Sequence, residues 1–202
     1  MDIFLRAKHW QLFLATFGLA FLFQAIIMFN LFSNVLNNNN PTTAFNDMKF
    51  FPLMMLLFMG VLFGWFWSIA IGLQKMVPSG IKMKVGKFKI FFFIPLVYML
   101  LLLVFMSFIF TTYFPSNEFL YTFAFPFLII IPLHLFSMFC IFYCLYFVAK
   151  TLKTVELQRE VGFSDFAGEF FLAWFYPIGI WILQPKINRM LEKNTNNHQV
   201  IQ

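Results

Sequence analysis

Two carboxylates four residues apart, Asp165 and Glu169, form the pair in this sequence that is best suited to chemistry. A spacing of four places both on one face of a helix. Paired carboxylates can act as general acid and base, or can bind a cation. The structural alternative is a helix that begins with Ser164 as its N-cap, so that both acids lie near its start, favour the helix dipole and face water. We favour this structural interpretation.

His134 is the second candidate, because it follows Pro132 inside a long apolar run. An ionisable residue at membrane depth is a functional candidate, here for a proton relay or a ligand site. The alternative is a neutral imidazole hydrogen-bonded to another helix, for instance to Gln24 or Asn30 in the first apolar run. We favour that alternative, since no acid lies in the four apolar runs. Gln24 and Asn30 are six residues apart, and we expect them to join helices, not to bind substrate.

A third candidate is the segment IKMKVGKFK, residues 81–89, in which basic and apolar residues alternate. A period of two is that of an extended strand with the lysines on one face. Such a face could bind anionic lipid headgroups or an acidic cytoplasmic partner. The simpler alternative, which we favour, is that the lysines only determine topology. The lysines concerned are Lys82, Lys84, Lys87 and Lys89.

The remaining short patterns predict packing and not catalysis. Gly60 and Gly64 form a GxxxG pattern that would let another helix approach closely, within the chain or in an oligomer. Cys140 and Cys144 share one helix face, and we expect free, buried thiols there. No Ser–His–Asp set, HExxH, P-loop or GxGxxG occurs. We therefore predict no catalytic residues, no metal site and no cofactor.

The chain that must position these residues is unusually apolar. Of its 202 residues, 61% are hydrophobic and 11% are charged, against about 25% charged in an ordinary soluble domain. A soluble domain of this size could not hide so much apolar surface, so lipid is the solvent that fits. The net charge of +6 lies beside the apolar runs. Anionic headgroups are therefore the expected partner, and nucleic acid is not.

Four segments are long enough to cross a bilayer, at about 10–36, 50–73, 90–114 and 119–149. The Lys and Arg counts around them alternate as 2, 1, 5, 0 and 3. The positive-inside bias places the N-terminus, the 74–89 loop and the segment after the fourth span in the cytoplasm. We predict an all-α integral membrane protein in which residues 1–149 form a four-helix transmembrane bundle.

Residues 163–183 are ambiguous, because hydropathy alone would make them a fifth transmembrane helix. Two acids lie inside the segment, and its uninterrupted apolar part, 170–183, has only 14 residues, a length typical of interfacial or re-entrant segments. A fifth crossing would also place the last basic residues outside. Those residues are Lys186, Arg189 and Lys193.

We expect instead that residues 150–193 form a charged segment and a membrane-embedded helical hairpin. A helix runs to about Tyr176, Pro177 and Gly179 break it, and a second short limb returns near Pro185. The hairpin is either re-entrant or lies flat in the interface, and a fifth transmembrane helix remains the alternative. Residues 194–202 are expected to be a disordered tail.

The layout is that of a small protein of the bacterial cytoplasmic (inner) membrane, with both termini in the cytoplasm. We favour a non-enzymatic accessory or regulatory subunit that binds a cytoplasmic-side partner or anionic lipid. One alternative is a small transporter or an oligomeric pore-forming effector. The other is a membrane-embedded enzyme, for which Asp165, Glu169 and His134 are the candidate acids and bases.

Overall fold

The computed structural model describes residues 2–36, 51–112 and 119–200, and within these ranges every regular element is a helix. A π-helical segment, Leu14–Gly18, joins α2 to α3, and the segments Ser68–Gly72 and Leu73–Met76 prolong α4. The α-helices are α1 (Asp2–Arg6), α2 (His9–Phe13), α3 (Leu19–Leu36), α4 (Phe51–Trp67), α5 (Val85–Thr112), α6 (Phe119–Leu157), α7 (Phe163–Trp174) and α8 (Tyr176–Val200).

Four helical stretches are long and apolar enough to cross a membrane: His9–Leu36, Pro52–Met76, Val85–Phe108 and Leu128–Leu157. The chain is therefore a multi-pass α-helical membrane protein, and this prediction is confirmed. We number these stretches as the first to fourth spans. The connections between the first and second spans and between the third and fourth lie outside the described residues.

The connection between the second and third spans differs from the expected strand. Residues 81–84 are irregular, but α5 already begins at Val85, and the Phe88 amide donates a hydrogen bond to the Lys84 carbonyl at 3.2 Å. The strand-like prediction is therefore wrong from Val85 onward, because the apolar helix of the third span continues through Lys87 and Lys89.

The best-packed core lies at one end of this bundle. It joins the end of the second span to the end of the fourth and to α8, whereas α3 is largely exposed. The large side chains buried completely in this core are Trp65, Ile69, Leu73, Phe88, Leu152, Ile180, Leu183 and Ile187.

Several chain segments meet at this same end. The Gln158 side chain donates to the Met76 carbonyl at 3.2 Å, which joins the ends of the second and fourth spans. Helix α1 packs on α8 and on the end of the second span. We call this the basic end, because it holds all Lys and Arg residues in the described ranges. They are Arg6, Lys8, Lys75, Lys82, Lys84, Lys87, Lys89, Lys150, Lys153, Arg159, Lys186, Arg189 and Lys193.

Helices α7 and α8 form a hairpin that departs from the predicted one in two details. Helix α7 starts after Gly162 and not after Ser164, and the Asp165 carboxylate accepts a hydrogen bond from the Gly162 amide at 2.9 Å. That bond satisfies a free amide at the helix start, so Ser164 is not needed as the cap. The second limb is not short either, because α8 has 25 residues and continues beyond Asn194 to Val200.

The hairpin turns at Phe175, between the two helices. Pro177 lies in the first turn of α8, where a missing amide proton costs nothing, so it starts this helix and does not interrupt one. Gly179 lies directly against α7: a Cβ atom at this position would stand 1.7 Å from the Leu172 carbonyl oxygen. The close crossing of the two backbones therefore depends on glycine at position 179.

Candidate functional site

Four charged side chains connect α6, α7 and α8 in what we call the charge cluster: Lys153, Glu156, Glu169 and Lys186. The Glu169 carboxylate accepts hydrogen bonds from Lys186 Nζ at 2.7 Å and from Lys153 Nζ at 3.0 Å. Lys186 also lies 2.6 Å from Glu156 Oε2, and Lys153 lies 3.0 Å from the same atom. The two carboxylates and the two lysine ammonium groups together carry no net charge. Their ion pairs connect the hairpin to the fourth span.

Burial is the largest influence on the Glu169 carboxyl and raises its pKa. The hydrogen bonds from Lys186 and Lys153 outweigh it, so the net pKa of Glu169 is lowered. The group is therefore ionised at neutral pH and held by two cations. A carboxylate so occupied is poorly suited to accept a proton from a substrate.

Asp165 does not share this environment. Its carboxylate pairs with Arg159, at 2.9 Å from Nη2 and 3.3 Å from Nη1. The Arg159 hydrogen bond, and then the Gly162 amide, lower the pKa of Asp165. The structure thus gives Asp165 and Glu169 separate cations and does not join them into one acid–base site.

Gln184 is a buried polar residue that the sequence patterns did not single out. Its Oε1 accepts a hydrogen bond from Trp65 Nε1 at 2.7 Å. Its Nε2 lies 2.8–3.1 Å from three backbone carbonyl oxygens at the end of α1. These carbonyls belong to Phe4, Leu5 and Ala7, and the Asn188 side chain donates to the last of them at 3.2 Å.

This arrangement uses Gln184 to cap the C-terminal end of α1 and to connect it with the second span. Carbonyls at a helix end have no partners within the helix, and an amide side chain supplies them. The signal in the sequence is one amide between Leu183 and Pro185, at the end of an apolar run. That signal identifies a polar residue but not its partners, which lie more than 100 residues away.

His134 lies within hydrogen-bond distance of Tyr98 of the third span, whereas the partners named from the sequence were Gln24 and Asn30. The Tyr98 Oη–His134 Nδ1 distance is 3.2 Å. Ser137, one turn further along, is buried, and its hydroxyl has no hydrogen-bond partner among the described residues. Cys140 and Cys144 are buried and free.

The other candidate residues of the spans differ in their exposure and in the space around them. Gln24 is exposed on α3, and Asn30 is partly buried there. Gly64 lies under the Phe4 ring of α1, so that a Cβ atom would stand 2.7 Å from Phe4 Cζ, whereas Gly60 has open space around it. The GxxxG face therefore receives an aromatic side chain at Gly64, and its Gly60 half is unoccupied by any described residue.

The lysines around the start of α5 form a separate surface, the lysine patch, consisting of Lys82, Lys84, Lys87 and Lys89. All four are exposed, and none forms an ion pair with any described residue. Lys82 and Lys84 also line a cavity of about 490 Å³ with Lys150 of the fourth span and Glu160, which follows that span.

The charged side chains at the basic end fall into two sets, those paired within the fold and those exposed without an ion pair among the described residues. No group of three His, Cys, Asp or Glu side chains that could hold a metal ion occurs among the described residues. The acids that could transfer protons are bound by lysine and arginine, whereas the lysine patch is available to an anionic partner. Comparison with protein-family models, with curated proteins and with solved structures finds no match to this chain.

Proposed function

We propose that the protein is a non-enzymatic accessory subunit of the bacterial cytoplasmic membrane, which docks an acidic cytoplasmic partner on its lysine patch. The observation that carries this proposal is the contrast between two sets of lysines at the basic end. Lys153 and Lys186 are paired within the charge cluster, whereas the patch lysines are exposed and form no ion pair with any described residue.

The position of the patch strengthens this contrast. Lys84, Lys87 and Lys89 lie at the start of α5, where the helix dipole is positive and cations are unfavourable. The lysines therefore do not help α5 to form. An acidic segment of a partner would offset the unfavourable interaction of the lysines with the helix dipole and the repulsion among the lysines. The same charges would orient the partner and speed its association.

Helix α8 supplies a second surface for a partner. Between Lys186, in the charge cluster, and Val200, the helix runs for about 21 Å at 1.5 Å per residue. This outer part of α8 carries the exposed residues Arg189, Glu192 and Lys193. The proposed partner thus meets a patch and a projecting helix on one side of the membrane.

The proposal includes a re-entrant hairpin, with both termini in the cytoplasm. Helix α7 has 12 residues and is about 18 Å long, whereas the hydrocarbon core measures about 30 Å. Large apolar side chains are exposed around its turn, including Trp174, Phe175 and Ile178. The charge cluster lies at its base. A hairpin that enters and leaves the membrane at the basic end keeps the apolar side chains of its turn in lipid. It also keeps the charge cluster in water.

The test is affinity purification after mild solubilisation, with wild-type protein and a variant carrying Lys82→Gln, Lys84→Gln, Lys87→Gln and Lys89→Gln. We expect a partner to copurify with the wild type at low salt and to be lost from the glutamine variant. A matched variant with arginine at the same four positions keeps the charge and should keep the partner.

A topology control accompanies this test, because removal of lysines can reorient a loop. Ser79→Cys in each background should react with a thiol reagent from the same side, and the buried native thiols of Cys140 and Cys144 should stay unlabelled. Equal recovery of the same partner with the glutamine variant, or no partner for the wild type, would refute the docking proposal.

A further inference from the structure

A cavity of about 1100 Å³ opens at the basic end, on a different surface from the lysine patch. It is bounded by the end of the second span, by the end of the fourth span and by α8. Residues Lys75–Pro78 form one wall, Val155, Glu156 and Gln158 form another, and α8 contributes the third. We call it the α8 cleft.

The charge of the α8 cleft is strongly positive. Lys75, Arg189 and Lys193 line it, are exposed, and form no ion pair with any described residue. Lys186 and Glu156 also line it, but they already neutralise each other at 2.6 Å within the charge cluster. Three cations are therefore left for an anion that enters the cleft.

The opposite part of the cleft is apolar and faces outward. Trp181 and Ile182 line it, and they are 48% and 51% exposed. One turn earlier on α8, Ile178 is also exposed, so the apolar surface continues toward the turn of the hairpin. Along one face of α8 the surface thus changes from apolar at 178–182 to basic at 189–193, over about two turns.

We propose that the α8 cleft binds one anionic phospholipid of the adjoining leaflet. Its phosphate lies between Lys75, Arg189 and Lys193, and the start of an acyl chain lies along Trp181 and Ile182. The cleft and a phospholipid match in the order of their polar and apolar parts. A phospholipid changes from an anionic headgroup to apolar chains over a few ångströms, as the surface of the cleft does. A free phosphate would use only the basic half and would leave both apolar side chains exposed to water. The proposal uses none of the patch lysines, but it shares Arg189 and Lys193 with the second surface for the partner. Lipid binding is measured on the protein without any partner, so failure of this proposal is distinguishable from failure of partner docking.

Native mass spectrometry of the full chain in detergent, titrated with phosphatidylglycerol or phosphatidylcholine, tests this site. We expect one retained phosphatidylglycerol and much weaker retention of phosphatidylcholine. The variant Arg189→Gln/Lys193→Gln should bind phosphatidylglycerol about 30-fold more weakly, since two surface cations beside the headgroup are lost. Its matched control is Arg6→Gln/Lys8→Gln, which removes the same two residue types outside the cleft and should bind as the wild type does.

A second measurement reports on the acyl chain and separates a lipid from a free anion. Phosphatidylglycerol with brominated chains should quench part of the tryptophan fluorescence, and Trp181→Phe should abolish that part. Inorganic phosphate at millimolar concentration should not displace the lipid. The proposal is overturned if both double variants bind equally, if phosphatidylcholine binds as well as phosphatidylglycerol, or if inorganic phosphate displaces the lipid.

Discussion

At the scale of single residues, Gln184 shows how one amide can hold distant segments together. Its oxygen accepts from Trp65 of the second span, and its nitrogen faces the carbonyls at the end of α1. The side chain is completely buried. A buried donor or acceptor that loses its partner costs more than the bond contributed, because water cannot replace the partner.

Replacing Gln184 with Leu should therefore destabilise the protein strongly. The change leaves the Trp65 indole N–H and the α1 carbonyls without this partner, and we expect a loss of about 2–3 kcal/mol in the free energy of unfolding. Denaturant titration in detergent, followed by tryptophan fluorescence, measures the loss. Gln24→Leu is the control, since Gln24 is exposed on α3 and its replacement should change stability little. Equal effects of the two substitutions would contradict the role assigned to Gln184.

The environment of Glu169 leads us to expect that the stability of the folded protein depends on pH. Its pKa is lowered in the folded protein, so its ion pairs stabilise the fold fully above the unfolded value, about pH 4.3. As the pH falls below that value and through the folded pKa, the carboxylate is protonated and this stabilisation is lost. The wild type should consequently lose thermal stability as the pH falls below about 4.3.

Glu169→Gln isolates this contribution. The variant should have a lower melting temperature than the wild type at pH 7, because Lys153 and Lys186 lose a buried anion. The difference should shrink as the pH is lowered, since the wild-type carboxyl is then neutral too. Asp165→Asn provides the comparison, because its pair with Arg159 is exposed and contributes little. A constant difference across the pH range would exclude the proposed linkage.

At the scale of elements, the α7–α8 hairpin depends on the close approach of two backbones. The Leu172 carbonyl lies where a side chain at position 179 would begin. The same crossing places Glu169 beside Lys186, so backbone packing and ion pairing both require one register between the helices. A shift of α8 by one turn would separate these partners by about 5 Å.

Gly179→Ala should thus disrupt the hairpin, because backbone atoms of α7 cannot move aside as a flexible side chain can. We expect poor folding, or a melting temperature lowered by well over the effect of an ordinary surface substitution. Gly168→Ala is the matched control within α7: a Cβ atom there meets nothing within 4 Å, and alanine favours the helix by up to about 1 kcal/mol. Comparable stability of the two variants would show that the backbones of α7 and α8 are far enough apart to accommodate a side chain at position 179.

At the scale of the whole molecule, hydropathy predicted most of the architecture. The four spans and the all-α class follow from apolar length. A break between two C-terminal helices was expected at Pro177 and Gly179, whereas the chain turns at Phe175 and both residues lie within α8. The observed helices end at other residues than the predicted spans, because charged and polar residues extend a helix beyond its apolar part. Lys87 does so in α5, and Lys153 does so in α6. Apolar length alone carries no information about that extension.

The partners within the fold could not be predicted in the same way. The sequence identified Glu169 as an acid on a helix face, but it contained no indication that Lys153 and Lys186 would bind it. Nothing in the sequence indicated Tyr98 as the partner of His134 either. Such pairs depend on helix rotation and register, which an evenly apolar helix specifies poorly when all its faces are equally hydrophobic. The positions of candidate residues were therefore predictable, and their contacts were not.

The arrangement of all four spans with the hairpin leads to a prediction of sidedness. The end of α1, the end of the second span and the C-terminal hairpin contact one another at the basic end. An even number of crossings with a re-entrant hairpin therefore requires Ser79→Cys and Asn196→Cys to face the same compartment. Both should resist a membrane-impermeant thiol reagent in intact cells and should react after the membrane is opened. If the cysteine at position 196 alone reacted in intact cells, the C-terminal segment would be a fifth span, and the re-entrant proposal would be wrong.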